Sequence, residues 1–285
     1  MLVGTDILLK KAKKEGYAVG AFDVYNLETA LGLAKAAVKK NSPIIMMVSE
    51  TTIQYAGIKP ITHIVSTIAK NLAVNVPVAL HLDHGKSFES VSECIKSGFN
   101  SVHIDASSLP FDENIAITKH AAIFAHKNNI WIQGELGPII GDHVAGTEYK
   151  GELPKTDPDL VEKFVEETGI DMLAIAVGPT HGMYTNERID FKLLRKIRKM
   201  TNVPLVLHGS SGVPDDEIKE AIKIGISKIN VGTAIRFAFS EALRKTVKEA
   251  PKDLIDVRKL LTPSIEAVQK IAEEKMDLFG SANKG

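Results

Sequence analysis

The feature that most constrains this chain is an alternation repeated eight times: a short β-rich run followed by an amphipathic helical stretch. Strands are expected over residues 17–22, 43–49, 77–82, 101–104, 130–134, 171–176, 204–207 and 228–231. Helices are expected over 27–40, 61–72, 87–97, 113–127, 158–168, 191–199, 214–224 and 234–248. A last helical pattern, 263–279, has no strand before it. Eight strand–helix units in 285 residues predict an α/β fold, a (β/α)8 TIM barrel with an additional C-terminal helix. A doubly wound open sheet is the rival, but it calls for a Gly-rich turn after an early strand. The first strand here runs into Asp23-Val24-Tyr25-Asn26. With no linker or low-complexity tract, residues 1–285 are expected to form a single barrel domain.

Charge and composition exclude several function classes. Lys plus Arg balances Asp plus Glu at 35 each, so nothing electrostatic favours nucleic acid or a membrane surface as partner. The single cysteine, Cys94, forbids an internal disulfide. The charged first 14 residues lack the apolar run of a signal peptide, and no stretch has the roughly 18 apolar residues of a spanning helix. A cytoplasmic location is therefore expected.

In such barrels, reactive groups sit at the carboxyl ends of strands and in the loops that follow. The third strand ends in His81-Leu82-Asp83-His84-Gly85, the fourth in Asp105, the fifth in Glu135 and the seventh in His208. The loop after the sixth carries His181 within Gly178-Pro179-Thr180-His181-Gly182. His84, His181 and His208 each stand beside a glycine, which lets backbone and ligand approach closely. Three neutral imidazoles predict one divalent metal, zinc first, with an open position for a substrate carbonyl. Asp83 fits either a general acid/base or a carboxylate that orients a ligand histidine. Strict alternation places His81 and Asp83 on one face and Leu82 and His84 on the other. His103, His120 and His126 gain no support from spacing, and the last two are expected on a helix surface.

A phosphate site is expected where barrels commonly place one, after strands seven and eight. His208-Gly209-Ser210-Ser211-Gly212 follows the seventh, and Asn230-Val231-Gly232-Thr233 closes the eighth just before a helix.

Together these segments resemble the class II, metal-dependent fructose-bisphosphate/tagatose-bisphosphate aldolases over nearly the whole chain. Val76 to Gly85 matches the first family signature. Ser101 to Ser107, Thr180-His181-Gly182, His208 to Gly212 and Lys228 to Val231 match in order and spacing. The resemblance implies a lyase that cleaves fructose 1,6-bisphosphate reversibly to dihydroxyacetone phosphate and glyceraldehyde 3-phosphate. Tagatose 1,6-bisphosphate or another ketose phosphate is the alternative. A metal-dependent hydrolase would carry a His-x-His pair after the first strand, and a non-catalytic sugar-phosphate sensor would have lost ligands; neither holds here.

By the same resemblance, Zn2+ would sit on His84, His181 and His208, drawing electron density from the ketone where the metal-free class uses a lysine Schiff base. Asp105 and Glu135 would be alternative ligands or serve a second divalent site. Asp83 would exchange the C4-hydroxyl proton. Gly182, Gly209, Ser210, Ser211, Asn230, Val231, Gly232 and Thr233 would hold dihydroxyacetone phosphate, with Na+ or K+ on nearby carbonyls. Arg258, in Asp256-Val257-Arg258, would reach the distal phosphate across the interface of a homodimer or homotetramer, a task that suits a bidentate guanidinium.

The chain departs from the family pattern in places. His143, preceded by Asp142, stands where a glutamate usually moves the C3 proton, a role open to histidine. Gln133 replaces an acidic residue, Asp23 a common asparagine, and Gly232 an acidic residue or alanine found in some members.

Overall fold

The computed structural model describes residues 2–141, 148 and 150–285. Its eight strands are β1 (Val19–Asp23), β2 (Ile44–Ser49), β3 (Val78–Gly85), β4 (Ser101–Ile104), β5 (Trp131–Leu136), β6 (Met172–Ile175), β7 (Leu205–Leu207) and β8 (Ile226–Val231). All pair in parallel with their neighbours in chain order, and β8 closes on β1. The expected TIM barrel is the observed fold.

The helices are α1 (Thr5–Glu15), α2 (Leu27–Lys40), α3 (Glu50–Ala56), α4 (Ile58–Asn71), α5 (Phe88–Lys96), α6 (Phe111–Lys127), α7 (Val161–Thr168), α8 (Phe191–Met200), α9 (Asp215–Ile224), α10 (Thr233–Glu249) and α11 (Val257–Leu278). Local chemistry sets their ends. Asn26 and Thr29 form a reciprocal capping box at the start of α2, and Asn41 ends that helix in the left-handed conformation. The additional C-terminal helix begins six residues before Pro263, with Asp256 as its N-cap; the proline lies inside it. It packs closely on α2, where a Cβ at Gly32 would meet the Ile265 carbonyl at 2.7 Å. Two helices lie outside the sequence expectations. One is the short α3; the other is α1, whose Leu8, Leu9 and Ala12 pack against the barrel interior. No helix among the described residues is long and apolar enough to cross a membrane.

Period-two alternation divides the strands into two layers. Outward side chains such as Phe22, Met46, Leu80, Val102, Ile132, Leu173, Leu207 and Ile229 form the main core with the helices. Inward ones are small or apolar near the α1 end: Val19, Ala21, Ile45, Ala79, Met172, Ala174 and Val206. Toward the carboxyl ends of the strands the interior turns polar. His81, Gln133 and Lys228 meet across the barrel axis, and Asp83, His103, Glu135, His208 and Asn230 also lie within the barrel. Charge buried in a barrel must be paired, so this polar half marks where the site lies.

A candidate metal and phosphate site at the carboxyl ends of the strands

The lowest polar layer is built on Lys228. Its ammonium donates to Gln133 Oε1 at 2.9 Å and Asn230 Oδ1 at 2.8 Å, and lies 3.4 Å from His81 Nε2. Burial pulls Lys228 down to about 8 despite nearby Asp83, Asp23 and Glu135. With its Oδ1 held by Lys228, Asn230 can only present its amide nitrogen upward. That Nδ2 donates to Asp83 Oδ1 at 3.0 Å and reaches His208 Nε2 at 3.3 Å. A lysine three residues before the strand end thus sets the orientation of the groups above it.

His84 departs from strict alternation. Its φ of 49° lies in the left-handed region, and the β3–β4 register slips between Leu82 and Gly85. The kink brings the ring to the same interior as Asp83 instead of the outer core. There His84 Nδ1 pairs with Asp105 Oδ2 at 2.7 Å, and Nε2 faces His208 Nδ1 at 3.1 Å. The three expected ligands converge from three strand ends. Ring centroids are 4.8 Å apart for His84 and His208, 5.0 Å for His84 and His181, and 5.8 Å for His181 and His208.

Two tighter groupings of possible ligand atoms also exist among the described residues: Asp83, His84, His103 and His208, and His84, Asp105 and Glu135. The second matches the residues expected around an alternative or second metal position. His103 is the member that spacing did not reveal. The His84 backbone N–H donates to its Nδ1, so the ring proton sits on Nε2, and burial takes His103 down to about 4.

The electrostatics fit a cation. Burial opposes charging of His84, but Asp83, then the hydrogen-bonded Asp105 and Glu135, outweigh it and push the ring up to about 9. Burial likewise opposes ionisation of Asp83, yet His84 holds it well below the usual carboxylate range. Burial lifts Glu135 to about 7 and keeps His208 well below its ordinary value. Glu135 Oε2 and His103 Nε2 are buried without hydrogen bonds, 3.7 Å apart, and Glu135 Oε2 is 3.9 Å from His84 Nδ1. Buried polar atoms are ordinarily satisfied; the unpaired Glu135 oxygen beside His84 and Asp105 suits a divalent cation of zinc type, whereas His103 Nε2 carries its proton and is not a ligand atom in this tautomer.

These groups open onto a cavity of about 720 Å³, lined on one side by Gly182, Gly209, Ser211, Asn230, Gly232 and Thr233. Gly209, at φ 68°, presses on the Thr180 backbone so closely that a Cβ would collide with its carbonyl. Ser211 Oγ accepts from the Ala234 N–H in the first turn of α10, which points its positive end at this wall. Two expected contributors turn their side chains away from the cavity: the Ser210 hydroxyl is buried and donates to the Asn230 carbonyl, and Val231 belongs to the outer core. Arg258 is 87% exposed, ion-paired with Asp256 and absent from the lining of this cavity. His143 and Asp142 lie outside the described residues.

Glu187, which the sequence reading passed over, joins the His181 loop to the loop after β7. It accepts from the Thr180 N–H at 2.8 Å, the Thr180 hydroxyl at 2.9 Å and the Gly212 N–H at 3.2 Å. Its only sequence signal is a glutamate six residues after a candidate ligand. Glu187→Ala leaves those buried donors unsatisfied, at about 1–3 kcal/mol each. We expect a lower Tm, checked by thermal melting.

The family model described as fructose-bisphosphate aldolase class-II matches residues 3–284. The 6-phospho-5-dehydro-2-deoxy-D-gluconate aldolase of Bacillus subtilis strain 168 is 42% identical, covering 97% of this chain and 95% of its own. The fructose-bisphosphate aldolase of Geobacillus stearothermophilus is 40% identical, covering 99% and 98%. Among solved structures, the YdjI aldolase from Escherichia coli K12 superposes with a TM-score of 0.87 at 34% identity, over 100% of this chain and 99% of that one. With the barrel, the histidine cluster and these likenesses in agreement, the chain belongs to the class II fructose-bisphosphate aldolase family.

Proposed function

We propose that this protein is a divalent-metal-dependent aldolase that reversibly cleaves a ketose phosphate between C3 and C4, yielding dihydroxyacetone phosphate and an aldehyde. The observation that carries the reading is the meeting of His84, His181 and His208 beside Asp83, next to a wall of glycine, hydroxyl and helix N-terminus. A cation held by those imidazoles supplies a Lewis acid for the ketone oxygen. Gly182, Gly209, Ser211 and Thr233 hold the phosphate and fix the three-carbon unit against the imidazoles. Asp83, ionised and steadied by Asn230, takes the C4-hydroxyl proton in cleavage and returns it in condensation. Asp105 orients His84 through its Nδ1. His143 is proposed for proton transfer at C3.

Two sugars have support from relatives' names: fructose 1,6-bisphosphate, and 6-phospho-5-dehydro-2-deoxy-D-gluconate. The expected homodimer or homotetramer is the setting in which Arg258 could reach a neighbouring cavity.

The deciding experiment follows deuterium uptake at C3 of dihydroxyacetone phosphate in D2O, with borohydride inactivation as a parallel arm. Exchange is expected without any aldehyde present, and borohydride plus dihydroxyacetone phosphate should leave activity intact. The second arm matters because Lys228 is a buried lysine of lowered pKa, the kind that forms Schiff bases. It is occupied by Gln133 and Asn230 beneath the cavity and does not line it. Borohydride inactivation would overturn the metal mechanism.

A further inference from the structure

The aldehyde-derived half of the substrate must lie opposite the phosphate wall, because the cavity's remaining space is over β1, β2 and β3. That side is built from Asp23 at the end of β1 and Tyr25 after it, Ser49 at the end of β2 and Glu50 after it, and Lys86 after β3. Lys86 on this side is already engaged, with its Nζ 2.5 Å from Asp105 Oδ2. Glu50 Oε1 accepts from the Lys86 backbone N–H at 2.7 Å, which fixes the carboxylate in place. Tyr25 donates its hydroxyl to Asp23 Oδ2 at 2.6 Å, so the Asp23 carboxylate is held too.

Two departures from the family pattern are one structural change. A Cβ at Gly232 would stand 2.5 Å from Asp23 Oδ2 and 3.5 Å from Arg236 Nη2. The Asp23 carboxylate therefore fills the space that a side chain at 232 would take, and each residue permits the other. The Arg236 guanidinium also lines the cavity, over the Tyr25 ring at 5.7 Å and beside Gly232, where its charge is shared with the Asp23 carboxylate. Among the described residues, the side opposite the proposed phosphate wall thus presents the hydroxyls of Tyr25 and Ser49 and two held carboxylates, Asp23 and Glu50.

A phosphate dianion on that opposite side would meet Asp23 and Glu50 at close range, a like-charge arrangement that a narrow cavity strengthens. A hydroxylated chain would find acceptors in both carboxylates and partners in Tyr25 and Ser49.

We infer that the substrate is a ketose 1-phosphate whose far end is hydroxylated and unphosphorylated, with Asp23 selecting against a second phosphate. This rests on the aldolase reading above. In cleavage the C3–C4 bond breaks, the C4-hydroxyl proton leaves to Asp83, C4 becomes the aldehyde carbon and C3 gains a proton. No co-reactant is needed.

The test compares kcat/KM for fructose 1-phosphate, fructose 1,6-bisphosphate and 6-phospho-5-dehydro-2-deoxy-D-gluconate on the zinc-loaded protein. Deuterium exchange into dihydroxyacetone phosphate is run alongside. The expected result is at least a tenfold preference for fructose 1-phosphate over the bisphosphate. Preference for either of the other two with exchange intact overturns this inference alone; for the bisphosphate, it would point to a second copy supplying Arg258. Absent exchange removes the aldolase reading and this inference with it. Asp23→Asn preserves size and the Tyr25 contact while removing the charge. It should raise the bisphosphate-to-monophosphate ratio of kcat/KM about tenfold, and an unchanged ratio would remove Asp23 from the selection.

Discussion

Chelation is expected to take cleavage down at least a thousandfold, and stoichiometric zinc to restore it. Loss of the Lewis acid forfeits several kcal/mol of charge stabilisation, and each 1.4 kcal/mol is a factor of ten. Stability should move in the same direction. Asp83, Asp105 and Glu135 converge with His84 in a buried space, so a cation held there would bind the folded chain and not the unfolded one. A cation bound at a thousandfold excess over its Kd adds about 4 kcal/mol by mass action. Chelation should therefore lower Tm by several degrees. Single substitutions then separate the competing ligand sets. His181→Ala and His208→Ala should lose both zinc and cleavage. His103→Ala, measured as zinc per folded chain, should keep its metal, because the His103 Nδ1 is committed to the His84 N–H. Full activity in a metal-free preparation would sink the mechanism. Zinc retained by His181→Ala but lost by His103→Ala would move the third ligand to β4.

Much of this was legible in the sequence because the barrel separates its signals. Inner and outer layers alternate at period two, the helices repeat at 3.6, and turn residues mark the joins. The strand ends and the loop after β6 therefore pointed to His84, His181 and His208 as residues that the barrel brings together. What escaped has physical reasons. His103 and Lys228 lie within strands, where a polar residue looks like an interruption until its partners arrive from distant strands. Lys228 meets residues from β3 and β5, 147 and 95 positions away. His84 would point outward by alternation, and only the left-handed kink reverses it. The leading segment, weighed only as a possible signal peptide, is helix α1 against the barrel's other end. Arg258, expected to reach a substrate across a subunit interface, pairs within one chain with its neighbour Asp256. Only another copy of the chain could give it the other role.

Asp83→Ala is expected to lower kcat for cleavage by about 10²–10⁴, the usual contribution of a positioned general acid/base. Deuterium exchange at C3 of dihydroxyacetone phosphate should fall less than tenfold, because Asp83 is assigned the C4 hydroxyl and not C3. The geometry supports that division. Asp83 lines the cavity, its Oδ1 accepts from Asn230, and its Oδ2 is 4.0 Å from His84 Nε2. It is close to the candidate ligand imidazoles without being committed to them. The rival role, a carboxylate that only tunes His84, makes a different prediction. Removing Asp83 would then lower the affinity of His84 for a cation and weaken cleavage and exchange together, with excess zinc rescuing both. A selective loss that zinc does not rescue assigns Asp83 to the substrate. Parallel losses with rescue assign it to the metal. Asp83→Asn sharpens the choice, since it keeps the size and an oxygen facing Asn230 while removing the basic site. If Asn restored exchange fully and cleavage not at all, the carboxylate's proton affinity would be its contribution, and Asn230 and Lys228 beneath it would be the groups that hold it ready.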